Sequence, residues 1–359
     1  MGPLAATCGP IVEQRSAHRT NPIPVAGDVD PGPGRGLAFG PNGVGISRMT
    51  VATYAAAQLL HVLPRERITR IMGRLADAQL HPAVADAVVG MYVRAYKVDL
   101  GDTVPPAGSF PSFDAFFTRP LREGARPVCA DPDALVSPAD GRLEDAGPVH
   151  AGGKLHIKGR DYAVADLVGD HAEAARYDGG QFAIVYLSPR DYHRVHAPIA
   201  GRITMVRSMS GDYFPVNSIG EQHVDSLFSI NRRVAIVIDT ATKGRVTVVM
   251  VGAMIVGRIT VSVIDARDVP FGDHVIEPAR SVVRGDEIGV FHLGSTVVVF
   301  VEKGKASPFH GSAVNGGPRT QPRDPGRRIL VGEPLHGAAP RGPTPRTPDG
   351  GPLDAGGVR

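Results

Sequence analysis

Three short segments of the 359-residue chain pair a reactive side chain with glycine or proline neighbours that restrict the backbone. In VSPADGRL, Asp140 lies between Pro138 and Gly141, a turn sequence whose carboxylate serves either the turn itself or the orientation of a histidine. In YLSPRDYHRVHAPIAG, Pro189 and Pro198 rule out a continuous helix and bracket Asp191, His193, Arg194 and His196. A lone histidine here reads as structural, whereas two imidazoles with a carboxylate and a guanidinium within six residues read as either a site or a structural cluster. Spaced three apart in a strand or loop, they point to different sides and do not chelate a metal as a pair. In VFHLGSTVVVF, Gly294 precedes Ser295 at the mouth of a strand, so no Cβ hinders approach to the Gly294 carbonyl. Ser295 is then either a hydrogen-bonding turn serine or a nucleophile. No G-x-S-x-G elbow surrounds it, which counts against an ordinary α/β-hydrolase.

These segments fall in a stretch, from about residue 134 to 305, that reads as β. QFAIVYL, RVAIVIDT, RVTVVMVGAMIVGRITVSV and STVVVFV are rich in β-branched residues and separated by Gly, Pro and Asp. No G-x-G-x-x-G follows any of them, so a dinucleotide fold is not supported. Ahead of this region, residues 48 to 98 carry a helical pattern interrupted at Pro64 and Pro82, which predicts three short helices. In the second, Arg67, Arg70 and Arg74 recur at spacings of three and four, and Ile68, Ile71 and Leu75 do so one residue on. Such a helix either packs its apolar stripe inward or lies on an anionic membrane surface. VATYAAAQLLHVL, from Val51, is too short to span a bilayer. The class expected is α+β: N-terminal amphipathic helices followed by a β-rich catalytic domain.

Composition narrows the function classes. With 39 Lys and Arg against 36 Asp and Glu, a net charge of +3 is no footprint for nucleic acid. Cys8 and Cys129 are isolated, so neither a zinc site nor a disulfide framework is expected. Gly and Pro crowd the two ends: residues 1–46 read as a disordered arm and 339–359 as a solvated tail, with RILVGEPL (328–335) able to form a short strand. MGPLAATCGPIVEQR lacks the basic and apolar regions of a secretory signal.

The segments FDAFFTRPLREGARPV (113–128), SPADGRL, YLSPRDYHRVHAPIAGRI, FPVNSI, VGAMIVGRI and GDEIGVFHLGSTVVVF, in that order, resemble the phosphatidylserine decarboxylase family, and they run across nearly all of residues 50–338. LGST resembles the family's self-processing signature, and PADG and YHRVH its other catalytic segments. The resemblance implies that Asp140, His196 and Ser295 form a processing triad and that His193 serves decarboxylation as an acid/base. It implies a pyruvoyl cofactor made from Ser295 rather than pyridoxal phosphate or a metal. Ser295 would attack the Gly294 carbonyl and give an ester. Elimination and hydrolysis would then release ammonia and leave a 1–294 beta chain and a 295–359 alpha chain whose ketone is the Schiff-base site.

The domains that follow are a 47–100 membrane-associating helical segment, with Arg67, Arg70 and Arg74 facing anionic lipid, and a 101–338 pyruvoyl decarboxylase domain. The partners implied are phosphatidylserine, an anionic membrane surface and the two chains as a heterodimer, peripheral on the cytoplasmic face, with no nucleic acid. One departure is visible: Arg232 and Arg233 follow Asn231 where the family usually has an acidic residue. The rival readings are a Ser-His-Asp hydrolase without self-cleavage and a non-enzymatic membrane-surface scaffold.

Overall fold

The computed structural model describes residues 64–157, 160–214, 226–253, 258–309 and 326–336. The expected arm, the helix from Val51 and the tail lie outside them. Among the described residues the named strands all pair antiparallel, and the class is α+β. A large sheet has the order β10-β6-β7-β8-β12-β4-β1-β13, with β6 at Gly201–Met209 and β10 at Gly272–Val282, and a small one the order β5-β11-β9. The central strands of the large sheet are β4 (Gln181–Leu187), β7 (Arg233–Asp239), β8 (Arg245–Val251) and β12 (Ser295–Val301). Their unbroken Val and Ile runs are buried on both faces, which is why they carry no polar alternation. At one edge β1 (Gly141–Pro148) pairs with β13 (Arg327–Ile329), the short strand expected from RILVGEPL.

The connection between the sheets positions the chemistry. The neighbours β8, β12 and β4 of the large sheet lead, at one end, into β9 (Arg258–Val261), β11 (Glu287–His292) and β5 (Arg194–His196) of the small one, in the same order. Residues 188–193 make the crossing between β4 and β5. Leu293 and Gly294 make it between β11 and β12. Ser295 is in register with Leu187, and the Phe291 amide donates to the His193 carbonyl at 3.0 Å. The Gly294–Ser295 bond and the histidine segment therefore change sheets side by side.

Two helices precede the sheets, α1 (Arg65–Asp77) and α2 (Pro82–Tyr96), starting where Pro64 and Pro82 were expected to break the pattern. A short α3 (Phe113–Phe117) follows, capped by the Ser112 hydroxyl, which accepts from the Ala115 amide. The face of α1 that packs is not its apolar stripe. Thr69 and Ala76 are buried, while Ile71 and Leu75 are 55% and 58% exposed. Ion pairs hold both ends: Arg65 to Asp212 at 2.6 Å and Asp77 to Arg258 at 2.6 Å. Of the expected Ile68, Ile71 and Leu75 stripe, Ile68 is half-buried while Ile71 and Leu75 face out, and the contacts that tether the helix ends are charged.

Candidate active site

Asp140 occupies the turn before β1 and is 1% exposed. Arg126 clamps it, with Nε reaching both carboxylate oxygens at 3.0 and 2.9 Å and Nη2 reaching Oδ2 at 2.6 Å. The Val331 amide donates to Oδ1 at 2.9 Å. A glycine must follow, since a Cβ at Gly141 would stand 2.2 Å from the Tyr186 carbonyl oxygen on β4. Burial opposes the charge on Arg126, yet the Asp140 and Asp102 carboxylates outweigh it and hold the guanidinium firmly protonated.

His196 is half-buried at the end of β5, where its amide donates to the Pro138 carbonyl at 2.8 Å and ties the strand to the Asp140 turn. The ring does not share a hydrogen bond with Asp140. Its Nδ1 donates to the Gly285 carbonyl at 2.7 Å, which leaves Nε2 as the lone-pair nitrogen, accepting from the Tyr192 hydroxyl at 3.1 Å. Burial lowers its pKa below the ordinary value. The Gly285 carbonyl and the Glu287 and Asp140 carboxylates oppose that drop, so Asp140 acts on the ring through space.

His193 differs. It is wholly buried, its Nδ1 donates to the Asp191 carbonyl at 2.8 Å, and its Nε2 has no hydrogen-bond partner. Burial pushes its pKa down to about 3 against the pull of the Asp191 carbonyl, with the positive charge of Arg119 adding to the drop. Such a ring is neutral at physiological pH and presents a free lone pair. Phe117 of α3 packs against it at 4.1 Å between centroids, and Tyr92 of α2 covers the same turn, its hydroxyl donating to the Pro189 carbonyl at 3.1 Å. Aromatic rings from the two helices thus keep water from the imidazole.

Ser295 opens β12, and Gly294, half-buried, joins it to Leu293. Leu293 is buried with φ at 85°, a left-handed conformation that costs a branched residue about 1–3 kcal/mol. Strain is therefore stored one residue before the Gly294–Ser295 bond. His292, just upstream, is held by Asp114 of α3 at 2.8 Å and by Arg258 at 2.7 Å.

Of the residues singled out from sequence, backbone pairing gathers the Asp140 turn, His193, His196 and the Gly294–Ser295 bond into one region. Arg67, Arg70 and Arg74 lie exposed on α1. Sequence reasoning missed Arg126 and Tyr192, which hold Asp140 and His196. Arg126 lay inside the quoted REGARPV, with no local signal that it reaches fourteen residues ahead. The Arg232 departure is accommodated: its guanidinium is buried and binds Asp268 through two bonds at 2.6 and 2.7 Å. No cluster of three or more metal-ligating side chains occurs among the described residues.

Comparisons with known proteins agree on one family. The model of the family described as phosphatidylserine decarboxylase matches residues 113–321. The phosphatidylserine decarboxylase proenzyme of Anaeromyxobacter sp. (strain K) is 38% identical over 289 residues, covering 78% of this chain and 97% of its own. The proenzyme of the same name from Shewanella loihica is 36% identical, covering 70% of this chain and 91% of its own. That of Alcanivorax borkumensis is 38% identical, covering 69% and 87%. With the matched segment spanning α3, the Gly294–Ser295 junction and every strand of the two sheets except β13, the chain belongs to the phosphatidylserine decarboxylase family.

Proposed function

We propose that this chain is a self-processing decarboxylase that converts phosphatidylserine to phosphatidylethanolamine and carbon dioxide. One observation carries the reading: a strained Leu293 precedes the Gly294–Ser295 bond at the sheet crossing, beside a buried His193 whose Nε2 lone pair is unused. Nothing in an ordinary core calls for that pairing, since buried polar atoms are nearly always satisfied.

In self-processing, the Ser295 hydroxyl attacks the Gly294 carbonyl and its proton passes to Nε2 of His196, directly or through the Tyr192 hydroxyl. The peptide becomes an ester. The depressed pKa of His196 keeps that nitrogen unprotonated at neutral pH, and the Gly285 carbonyl fixes the tautomer. Loss of the Ser295 α-proton then expels Gly294 as a carboxylate, and hydrolysis of the dehydroalanine releases ammonia. The residues fit the pyruvoyl group so made, because the unpartnered Nε2 of His193, under the aromatic cover of Phe117 and Tyr92, offers a dry acceptor on the segment whose backbone pairs with Phe291, four residues before Ser295. When formed, the group supplies the electron sink that amino-acid decarboxylation requires. His193, neutral in the resting site, takes the proton that the substrate ammonium sheds and returns it to the α-carbon once carbon dioxide has left.

The same reading gives α1 a role. Its tethered face is polar, so Ile71 and Leu75 with Arg67, Arg70 and Arg74 form an outward apolar and basic surface suited to anionic lipid. Residues 47–100 then act as a peripheral membrane-associating segment on the cytoplasmic face, and 101–338 as the catalytic domain. Among the described residues no helix is long and apolar enough to cross a membrane.

Intact-mass analysis of the wild type beside Ser295→Ala tests the core of this. Scaling 37.8 kDa by residue count gives fragments of about 31 and 7 kDa for cleavage before Ser295, the smaller one ketone-capped. An uncut wild-type chain labelled at Ser295 by a fluorophosphonate would instead establish the hydrolase.

A further inference from the structure

A cleft of about 340 Å³ opens between α1 and the small sheet, and Leu293 forms part of its wall. Five arginines and four carboxylates line it, which leaves one positive charge in excess. The excess can be located. Both terminal nitrogens of Arg258 are engaged, Nη1 with Asp77 and Nη2 with Asp77 and Asp114, but its buried Nε has no hydrogen-bond partner. Arg74 makes no ion pair with any described residue, whereas Arg70 on the preceding turn is held by Glu66 at 2.5 Å.

This cation surplus borders the one place where the proposed chemistry creates a negative charge. Cleavage turns the neutral Gly294 carbonyl into a carboxylate next to Leu293 and two residues after His292. Leaving a half-buried carboxylate unpaired costs several kcal/mol. The substrate of the proposed reaction carries a second anionic oxygen group, the phosphodiester that links serine to the lipid. We propose that the cleft is an oxyanion subsite, with Arg74 and the Nε of Arg258 as donors, for either the Gly294 carboxylate freed by processing or the phosphodiester of the substrate. The subsite rests on the self-processing reading above, and its two sources can be separated.

For the carboxylate, cleaved Arg74→Lys protein is treated with a water-soluble carbodiimide, which joins an amine to a nearby carboxylate with loss of one water. A peptide linking Lys at position 74 to Gly294, absent when Ser295→Ala is added, assigns the subsite to the new chain end. For the phosphodiester, sn-glycero-3-phosphoserine is titrated calorimetrically into Ser295→Ala with and without Arg74→Gln. Weakening by about fivefold, the upper range for an exposed ion pair, assigns it to the headgroup. This soluble probe has no acyl chains, so membrane attachment through α1 does not enter the readout. If the cross-link fails to form and the titration is not weakened, the subsite is overturned. An uncut wild-type chain is a different failure, that of the processing reading, and it is seen by mass before either arm begins. The carboxylate source is then eliminated and the titration alone decides.

Discussion

The Asp140 turn and the Leu293–Ser295 crossing adjoin one another and are built in opposite ways. At Asp140 a buried charge is met by three bonds from Arg126 and one from the Val331 amide, and the following glycine lets β1 lie against β4. At the crossing, a leucine is held in a left-handed conformation and a wholly buried imidazole keeps one nitrogen unmatched. The first region uses its polar groups to fix geometry. The second leaves strain and hydrogen-bonding capacity unspent, which is how a site prepares for a bond that is to break and a proton that is to move.

His196 belongs to both regions, its amide tied to the Asp140 turn and its strand paired with β11, so replacing it breaks the comparison most sharply. His196→Gln is expected to slow conversion to the two chains by about 10³-fold or more, the usual cost of removing the base from a nucleophile. Following fragment appearance by mass over hours measures this, and cleavage at the wild-type rate would take His196 out of the chemistry. The wild type sharpens the point through pH. Because burial lowers the pKa of His196 from the ordinary 6.5, its basic form persists through neutrality, and the cleavage rate should fall only at pH values below that of an ordinary imidazole. A half-maximal rate above pH 7 would refute that assignment.

Arg126→Met attacks the satisfied region alone. It leaves the buried Asp140 carboxylate with one backbone donor, and removing one partner of a buried pair costs about 3–5 kcal/mol. Urea unfolding in the uncleaved Ser295→Ala background reads this loss, and adding Asp140→Leu should recover most of it by removing the stranded charge. If the single substitution cost less than 1 kcal/mol, Asp140 would not be the rigid half of the pair.

How far the two regions were legible in sequence follows from how local their causes are. The strands of β4, β7, β8 and β12 were readable because unbroken β-branched runs record burial on both faces. The Asp140 turn was readable from Pro-Ala-Asp-Gly, and Gly141 is demanded by the Tyr186 carbonyl. The Gly294–Ser295 bond stood out by its type and by family resemblance, but its place at the crossing depends on the order β8-β12-β4 over β9-β11-β5, which no local pattern encodes. For α1, periodicity revealed two faces but not which one packs, because that is decided by Asp212 and Arg258, 147 and 181 residues from their partners. The clamp of Arg126 and the Gly285 acceptor for His196 were hidden for the same reason.

The unsatisfied region can be tested through stability as well. His193 has a folded pKa of about 3 against about 6.5 when unfolded, so below 6.5 the unfolded chain binds the extra proton and acid favours unfolding. This contribution is fully present above pH 6.5 and declines by about 1.4 kcal/mol per pH unit as pH falls toward 3. His193→Phe, in the Ser295→Ala background, should flatten that part of the urea-derived stability profile by one proton. An unchanged slope would mean that another group carries the acid sensitivity.

The smallest effect expected is at Leu293, and it separates strain from hydrogen bonding. A glycine adopts φ of 85° without the side-chain penalty, so Leu293→Gly relieves about 1 kcal/mol of strain in the precursor. It also deletes a buried side chain that lines the α1 cleft, so net unfolding stability is a poor readout. Cleavage rate is a better one. If strain raises the ground state of the Gly294–Ser295 bond, its relief should slow self-cleavage by about fivefold, the rate equivalent of 1 kcal/mol. Leu293→Ala keeps the disfavoured φ while removing most of the same side chain, and should cleave at close to the wild-type rate. Slowing by both substitutions would point to packing against the cleft, and slowing by glycine alone to the backbone.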